Sequence, residues 1–297
     1  MKALEVRHGV QLKKILFLTD FSEAANAAAP YAIGLAKTYG AKILALHMRP
    51  PAVNPMTPPA SWYGTEEAAE TQAGEERREL EAMFMGLSPK IIVKEGDLHG
   101  HIDAIVAEEN VDLIVMGTHG RSGIKRFFLG SVAEEVFRRA DCPVLTVGPH
   151  AGRGITIPAE FTRILFATTN TTEAKPALNY ALSLAQENQA HITLLHVIAE
   201  PGAGTLVQPD DLIDATEASL RKLVPSEAES WCVPDFLVEC GDAAKKILDV
   251  AAHRKANLIV MGVHKPHGFP GAATHLPIAV AHEVVAKAQC PVLTVHS

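Results

Sequence analysis

Short apolar runs rich in branched residues alternate along this chain with longer segments of mixed polarity. ILFLTD (15–20) ends in polar residues and leads into SEAANAAAPYAIGLAKTYG (22–40). That alanine-rich amphipathic segment closes on a glycine suited to a helix C-cap. A second strand, AKILALHM (41–48), is followed by a Pro-rich loop (49–59) and a charged helical stretch from Glu66 to Met85. KIIVKEGD (90–97) predicts a third strand, HIDAIVAEEN (101–110) a helix, DLIVMG (112–117) a fourth strand, SVAEEVFRRA (131–140) a helix and CPVLTV (142–147) a last strand. Strands alternating with helices predict an α/β fold, with a mostly parallel sheet covered on both faces.

The pattern then repeats. KKILFLTD (13–20) returns as TRILFATT (162–169), AKILALHM as AHITLLHV (190–197), VDLIVMG (111–117) as ANLIVMG (256–262), and CPVLTV again from Cys290. Two tandem domains are therefore expected, 1–150 and 151–297, joined by the Gly- and Pro-rich GPHAGRGITIPAEF (148–161). A chain of 297 residues suits two domains of ordinary size.

Composition narrows the function classes. With 47% hydrophobic residues, 21% charged residues and a net charge of -7, the chain reads as globular, and its charge disfavours nucleic acid as a partner. The four cysteines show no CxxC spacing and read as small buried hydrophobes. No apolar stretch near the N-terminus resembles a signal peptide and no window approaches a membrane span. A cytoplasmic location without membrane attachment is the expectation.

The candidate chemistry lies in GTHGRSGIKRFFLGS (117–131), between the fourth strand and the next helix. A helix N-terminus presents unpaired backbone N–H groups and a partial positive charge, which suit phosphate. Gly130 allows close approach and Ser131 offers a hydroxyl, while Arg121, Lys125 and Arg126 add cations. The competing reading makes Ser131 and Glu134 a capping box that closes the helix end without a ligand. The loop is neither GxxxxGK[ST] nor GxGxxG. In open parallel sheets the ligand crevice lies where strand order reverses, and a first strand beside the fourth would bring Asp20 next to Gly117.

The spacing G-x2-G-x9-G-[ST] at Gly117, Gly120, Gly130 and Ser131, together with ILFLTDFSEAA, ALHM and CPVLTV, resembles the universal stress protein family. That resemblance implies two open parallel-sheet domains of the adenine nucleotide alpha hydrolase-like kind, five strands each in the order 3-2-1-4-5. It also implies ATP, with accompanying Mg2+, between the first and fourth strands. Thr19 and Met48 would line the adenine pocket, Asp20 would face the adenosine end, and Met116 and Gly117 would flank ribose and phosphates. Gly120, Arg121, Gly130, Ser131 and Val132 would wrap the triphosphate. The alternatives are an N-cap role for Asp20, which Ser22 could take instead, and core packing for Met48 and Met116.

The second repeat departs from this pattern. Thr169 stands in the place of Asp20, Lys265 in that of Gly120, and Ile278 and Ala279 in those of Gly130 and Ser131. It is expected not to bind ATP. Its loop carries His264, His267, His275 and His282 at spacings that match no familiar metal site, and HGH (99–101) reads as a surface turn. The expected role is nucleotide-dependent regulation, with occupancy ordering the loop between Gly117 and Gly130. The alternatives are a slow ATP hydrolase using Asp20 and His119, and an assembly scaffold without nucleotide. By resemblance the last strands pair, here within one chain, Cys142–Val147 against Cys290–Val295, with a homodimer of the tandem unit also conceivable.

Overall fold

Period-two alternation in β1 (Lys14–Thr19) sends Ile15 and Phe17 into one hydrophobic core and Leu16 and Leu18 into another. A strand buried on both faces needs layers above and below, and the computed structural model has them. It describes residues 9–49, 66–96, 98, 101–118, 129–148, 151, 159–170, 172–199, 209–263 and 278–296.

After β1 come α1 (Glu23–Tyr39), β2 (Lys42–Arg49), α2 (Glu66–Met83), β3 (Lys90–Glu95), α3 (Ile102–Glu109), β4 (Leu113–Gly117), α4 (Ser131–Arg139) and β5 (Val144–Val147). The second half repeats the order with β6 (Arg163–Thr168), α5 (Lys175–Asn188), β7 (His191–Ile198), α6 (Pro209–Leu223), β8 (Asp235–Cys240), α7 (Ala243–His253), β9 (Leu258–Val263), α8 (Ile278–Lys287) and β10 (Val292–His296). Helix α1 is capped as its sequence predicts. Ser22 accepts from the Ala25 N–H, and Gly40 takes the left-handed C-cap conformation at φ 66°. Each half also pins the start of its first strand from the residue before its fourth. Asp112 accepts from the N–H groups of Lys13 and Lys14, and Asn257 from those of Thr162 and Arg163.

The strands form one ten-stranded sheet in the order β3-β2-β1-β4-β5-β10-β9-β6-β7-β8. Within each half the described pairings are parallel, and the order is 3-2-1-4-5 read from the first strand of each half. The halves meet where β5 runs antiparallel to β10, with Leu145 opposite Leu293. Two buried threonines repeat the bond across this join: Thr146 Oγ1 donates to the Val292 carbonyl and Thr294 Oγ1 to that of Val144. Both cores run through the two halves. One holds side chains of α1, α2 and α5, the other those of α3, α4, α7 and α8.

The chain entering the second half also packs on α1. The Tyr31 hydroxyl donates to the Ala151 carbonyl, its ring stacks on Phe161 at 5.8 Å, and the Ala159 N–H reaches the Pro30 carbonyl. A Cβ on Gly34 would stand 2.4 Å from the Ala159 oxygen, so only glycine admits this contact. Among the described residues no helix is long and apolar enough to cross a membrane.

Burial raises the phenols of Tyr39 and Tyr180 from 10.0 to about 12 and that of Tyr31 further still. The unfolded chain would lose these protons first, so their contribution to stability is complete below pH 10 and is lost as pH rises from 10 towards 12. Unfolding free energy should therefore fall steeply across that window, with tyrosinate absorbance appearing together with loss of circular dichroism. Gradual tyrosinate formation near pH 10 in a folded chain would contradict the burial of these rings.

Candidate functional site: a cleft at the switch point of the first half

Strand β1 lies between β2 and β4, and the helices that follow β1 and β4 cover opposite faces of the sheet. A crevice therefore opens beyond the carboxyl ends of β1 and β4. It has a volume of about 290 Å3, near the lower end of small-ligand pockets. Of the residues expected at a nucleotide site, Thr19, Asp20, Met48, Met116, Gly117, Gly130, Ser131 and Val132 all line it. Gly120 and Arg121 lie outside the described residues, as do Lys125, Arg126 and His119. In the second repeat His264, His267 and His275 do too, while His282 sits in α8. In the HGH turn only His101 is described, at the start of α3.

Sequence reasoning missed part of the lining. Leu18, Leu46 and Leu98 give the cleft an apolar wall, and Ala25, Thr118 and Ala133 complete it. The signal for two of them was present in the alternation, since Leu18 and Leu46 share a sheet face with Met48 and Met116. Leu98 follows β3 in a single described residue and carries no such periodic signal.

The turn that leaves β1 sets the acid. Thr19 Oγ1 accepts from the Phe21 N–H at 2.9 Å and Asp20 Oδ1 from the Ser22 N–H at 3.0 Å, so both side chains brace the turn they belong to. Ser22 caps α1, which removes the N-cap reading of Asp20. Phe21 takes φ 59°, a left-handed conformation that costs a bulky residue of order 1–3 kcal/mol. Its counterpart Asn170, at φ 60°, is of a type that adopts this region readily.

Helix α4 starts one residue earlier than the capping-box reading requires. Gly130, extended at φ -62° and ψ 152°, is the N-cap, and Ser131 is the first helical residue. A capping box needs its hydroxyl at the N-cap, so Ser131 and Glu134 cannot form one, and among the described residues no side-chain cap is made at this end. The Gly130 N–H donates to the Thr118 carbonyl at 2.8 Å and anchors the helix start to the end of β4. Ser131 and Val132 are left exposed at the cleft mouth. An uncapped helix N-terminus faces a cleft whose single ionisable lining residue, among those described, is Asp20.

Gly117 has a packing reason that the sequence did not show. A Cβ there would stand 2.6 Å from the Ala24 carbonyl carbon and 2.7 Å from the Ala25 nitrogen, because the first turn of α1 lies directly against the end of β4. In the second half a single 3-10 turn (Thr172–Ala174) precedes α5, and a Cβ on Gly262 would meet only the Ala177 Cβ at 3.6 Å.

The model of the Universal stress protein family matches residues 11–148 and again 160–296. The chain belongs to the universal stress protein family. This tandem universal stress protein is 35% identical over 148 residues to a universal stress protein of Methanocaldococcus jannaschii, spanning 48% of this chain and 86% of that one. It is 25% identical over 252 residues to one from Mycobacterium tuberculosis, spanning 80% and 81% of the two chains. Its fold is that of the crystal structure of a universal stress protein from Archaeoglobus fulgidus, with a TM-score of 0.70 at 23% identity over 96% of this chain and 97% of that one.

The two glycines give a direct comparison. Gly117→Ala in this universal stress protein should cost about 1–3 kcal/mol through overpacking against α1. Gly262→Ala should be neutral or stabilise by up to about 1 kcal/mol. Urea denaturation midpoints of the two variants check the difference, and equal effects would contradict the close approach of α1 to β4.

Proposed function

We propose that the first half of this universal stress protein, residues 1–150, binds ATP, accompanied by Mg2+, in the cleft between β1 and β4. The second half, 151–297, does not bind it in that manner. The observation that carries the reading is the uncapped start of α4 at Gly130 and Ser131, opening into an apolar cleft opposite Asp20. Adenine would lie against Met48, Met116 and the leucine wall with Thr19 at the floor, and the ribose near Asp20 and Gly117. The phosphates would lie at the N-terminus of α4, with Gly120, Gly130, Ser131 and Val132 around them and Arg121 supplying charge. In the second repeat Thr169, Ile278 and Ala279 replace the acid and the Gly-Ser pair, which removes the same three contributions.

The role that follows is nucleotide-dependent regulation in the cytoplasm rather than turnover. A phosphoryl-transfer site needs a group that positions the attacking nucleophile and carboxylates for the metal, and among the described lining residues Asp20 alone could contribute. Pairing of β5 with β10 satisfies the last strand of each half inside one chain, so the tandem unit completes its sheet without a second copy.

Calorimetric titration with Mg-ATP should give one nucleotide per chain. Gly130→Val should weaken binding by at least about tenfold, or 1.4 kcal/mol. Ser131→Ala should weaken it less, while leaving the melting temperature unchanged because no cap is lost. Absence of binding to the unaltered protein overturns the reading, two nucleotides per chain overturn its restriction to the first half, and rapid ADP release abolished in Asp20→Ala would make the site an enzyme.

A further inference from the structure

His47 stands in β2 beside the floor of the cleft, 5% exposed, with its Nδ1 2.8 Å from the Thr19 carbonyl. A carbonyl only accepts, so Nδ1 carries the proton and donates. The Phe21 ring packs against the imidazole with centroids 4.6 Å apart. The histidine thus holds the turn from Thr19 to Ser22 at two points, and that turn carries Asp20. On the far side of the ring lies Glu76 of α2, with Oε1 3.9 Å from His47 Nε2 and Oε2 3.6 Å from Arg49 Nε. Arg49 in turn reaches Glu95 on β3 at 3.6 Å. Glu76 Oε2 is buried with no hydrogen-bond partner among the described residues, and a carboxylate placed so calls for an explanation.

The second half supplies the comparison. His196 of β7 makes the same bond, Nδ1 to the Thr168 carbonyl at 2.8 Å, and Thr168 Oγ1 accepts from the Asn170 N–H as Thr19 does from Phe21. The histidine–carbonyl bond is therefore common to both halves. Two positions around it differ together. The fully buried Leu80 of α2 and Leu220 of α6 correspond, and four residues before them stand Glu76 and Thr216. Where the turn holds Phe21 in a strained conformation, a carboxylate lies behind the histidine. Where it holds Asn170, the corresponding residue is Thr216, whose hydroxyl donates to the Leu212 carbonyl and whose own carbonyl accepts from Asn170 Nδ2 at 3.5 Å. Strained residues persist only where their surroundings over-determine them.

We propose that Glu76 is a positioning residue of the first-half cleft. With its carboxylate 3.9 Å from His47 Nε2 and 3.6 Å from Arg49 Nε, it closes the far edge of the imidazole, keeps the ring oriented with Nδ1 on the Thr19 carbonyl, and so holds the strained turn and the Asp20 carboxylate where the nucleotide needs them. The inference rests on the nucleotide reading for its effect on ligand, but its effect on the ring is independent of ligand.

Two variants test it. Glu76→Thr copies the second half and is compatible with the fold there. It should raise the Kd for Mg-ATP about tenfold, and in nitrogen–proton NMR it should weaken the protected Nδ1–H signal of His47 while that of His196 stays unchanged. Glu76→Gln can donate its amide N–H to Nε2 of a neutral ring, so it should retain both the Nδ1–H signal and an ATP affinity within about twofold of the unaltered protein. An unchanged His47 signal and unchanged Kd in Glu76→Thr overturn the proposal while leaving nucleotide binding intact, and so does a Glu76→Gln variant as impaired as Glu76→Thr. If the unaltered protein binds no ATP, the nucleotide reading fails and the ring signals still decide: loss in Glu76→Thr alone supports the positioning role, and no change overturns it.

Discussion

Right-handed crossovers oblige the chain to leave β1 and β4 towards opposite faces, and every feature of the cleft depends on that constraint. Helix α1 carries the chain from β1 to β2 over one core, and α4 carries it from β4 to β5 over the other. Adjacent strands whose helices diverge leave a gap that neither helix fills. Backbone from both sides then meets at the gap: the Thr19–Ser22 turn on one bank, Thr118 and Gly130 on the other. The contact that narrows it is the first turn of α1 against Gly117, so the same glycine serves packing and cleft shape.

Much of this architecture was legible because it rests on local rules. Alternation in ILFLTD, the Ser22 and Gly40 caps and the repeat of AKILALHM as AHITLLHV depend on sequence neighbours, and the sheet order followed from resemblance rather than from pattern. The register of α4 was less accessible. Ser131 and Glu134 have the spacing of a capping box, and only the coordinates show that Gly130 takes the N-cap. The packing of α1 on Gly117, the left-handed Phe21 and the burial of Glu76 behind His47 are contacts between residues far apart in the chain or conformations set by them. No single-sequence pattern carries such information. The internal repeat comes nearest, since it places Asn170 opposite Phe21 and Thr216 opposite Glu76 once the helices are aligned on their buried leucines.

The two halves also show how one topology tolerates different local solutions. A capped helix begins tight against β4 in the first half, while in the second a single 3-10 turn sets the helix back and leaves room beside Gly262. Asp112 and Asn257 do the same work with and without charge, since what the first strand of each half requires is an acceptor oxygen. What is shared identifies the demands of the fold, and what is not shared marks where those demands are loose enough for a ligand to have a say.

The antiparallel join of β5 and β10 has a consequence for symmetry. In an assembly of two identical chains every substitution appears on both sides of the axis, so no contact can be improved on one side alone. Here the position that must be Gly34 to admit the Ala159 backbone is answered across the axis by Ser183, which instead meets the Tyr39 hydroxyl at 3.3 Å. Fusion has released the two sides from copying each other, and the molecule can evolve as a heterodimer whose partners never have to find one another.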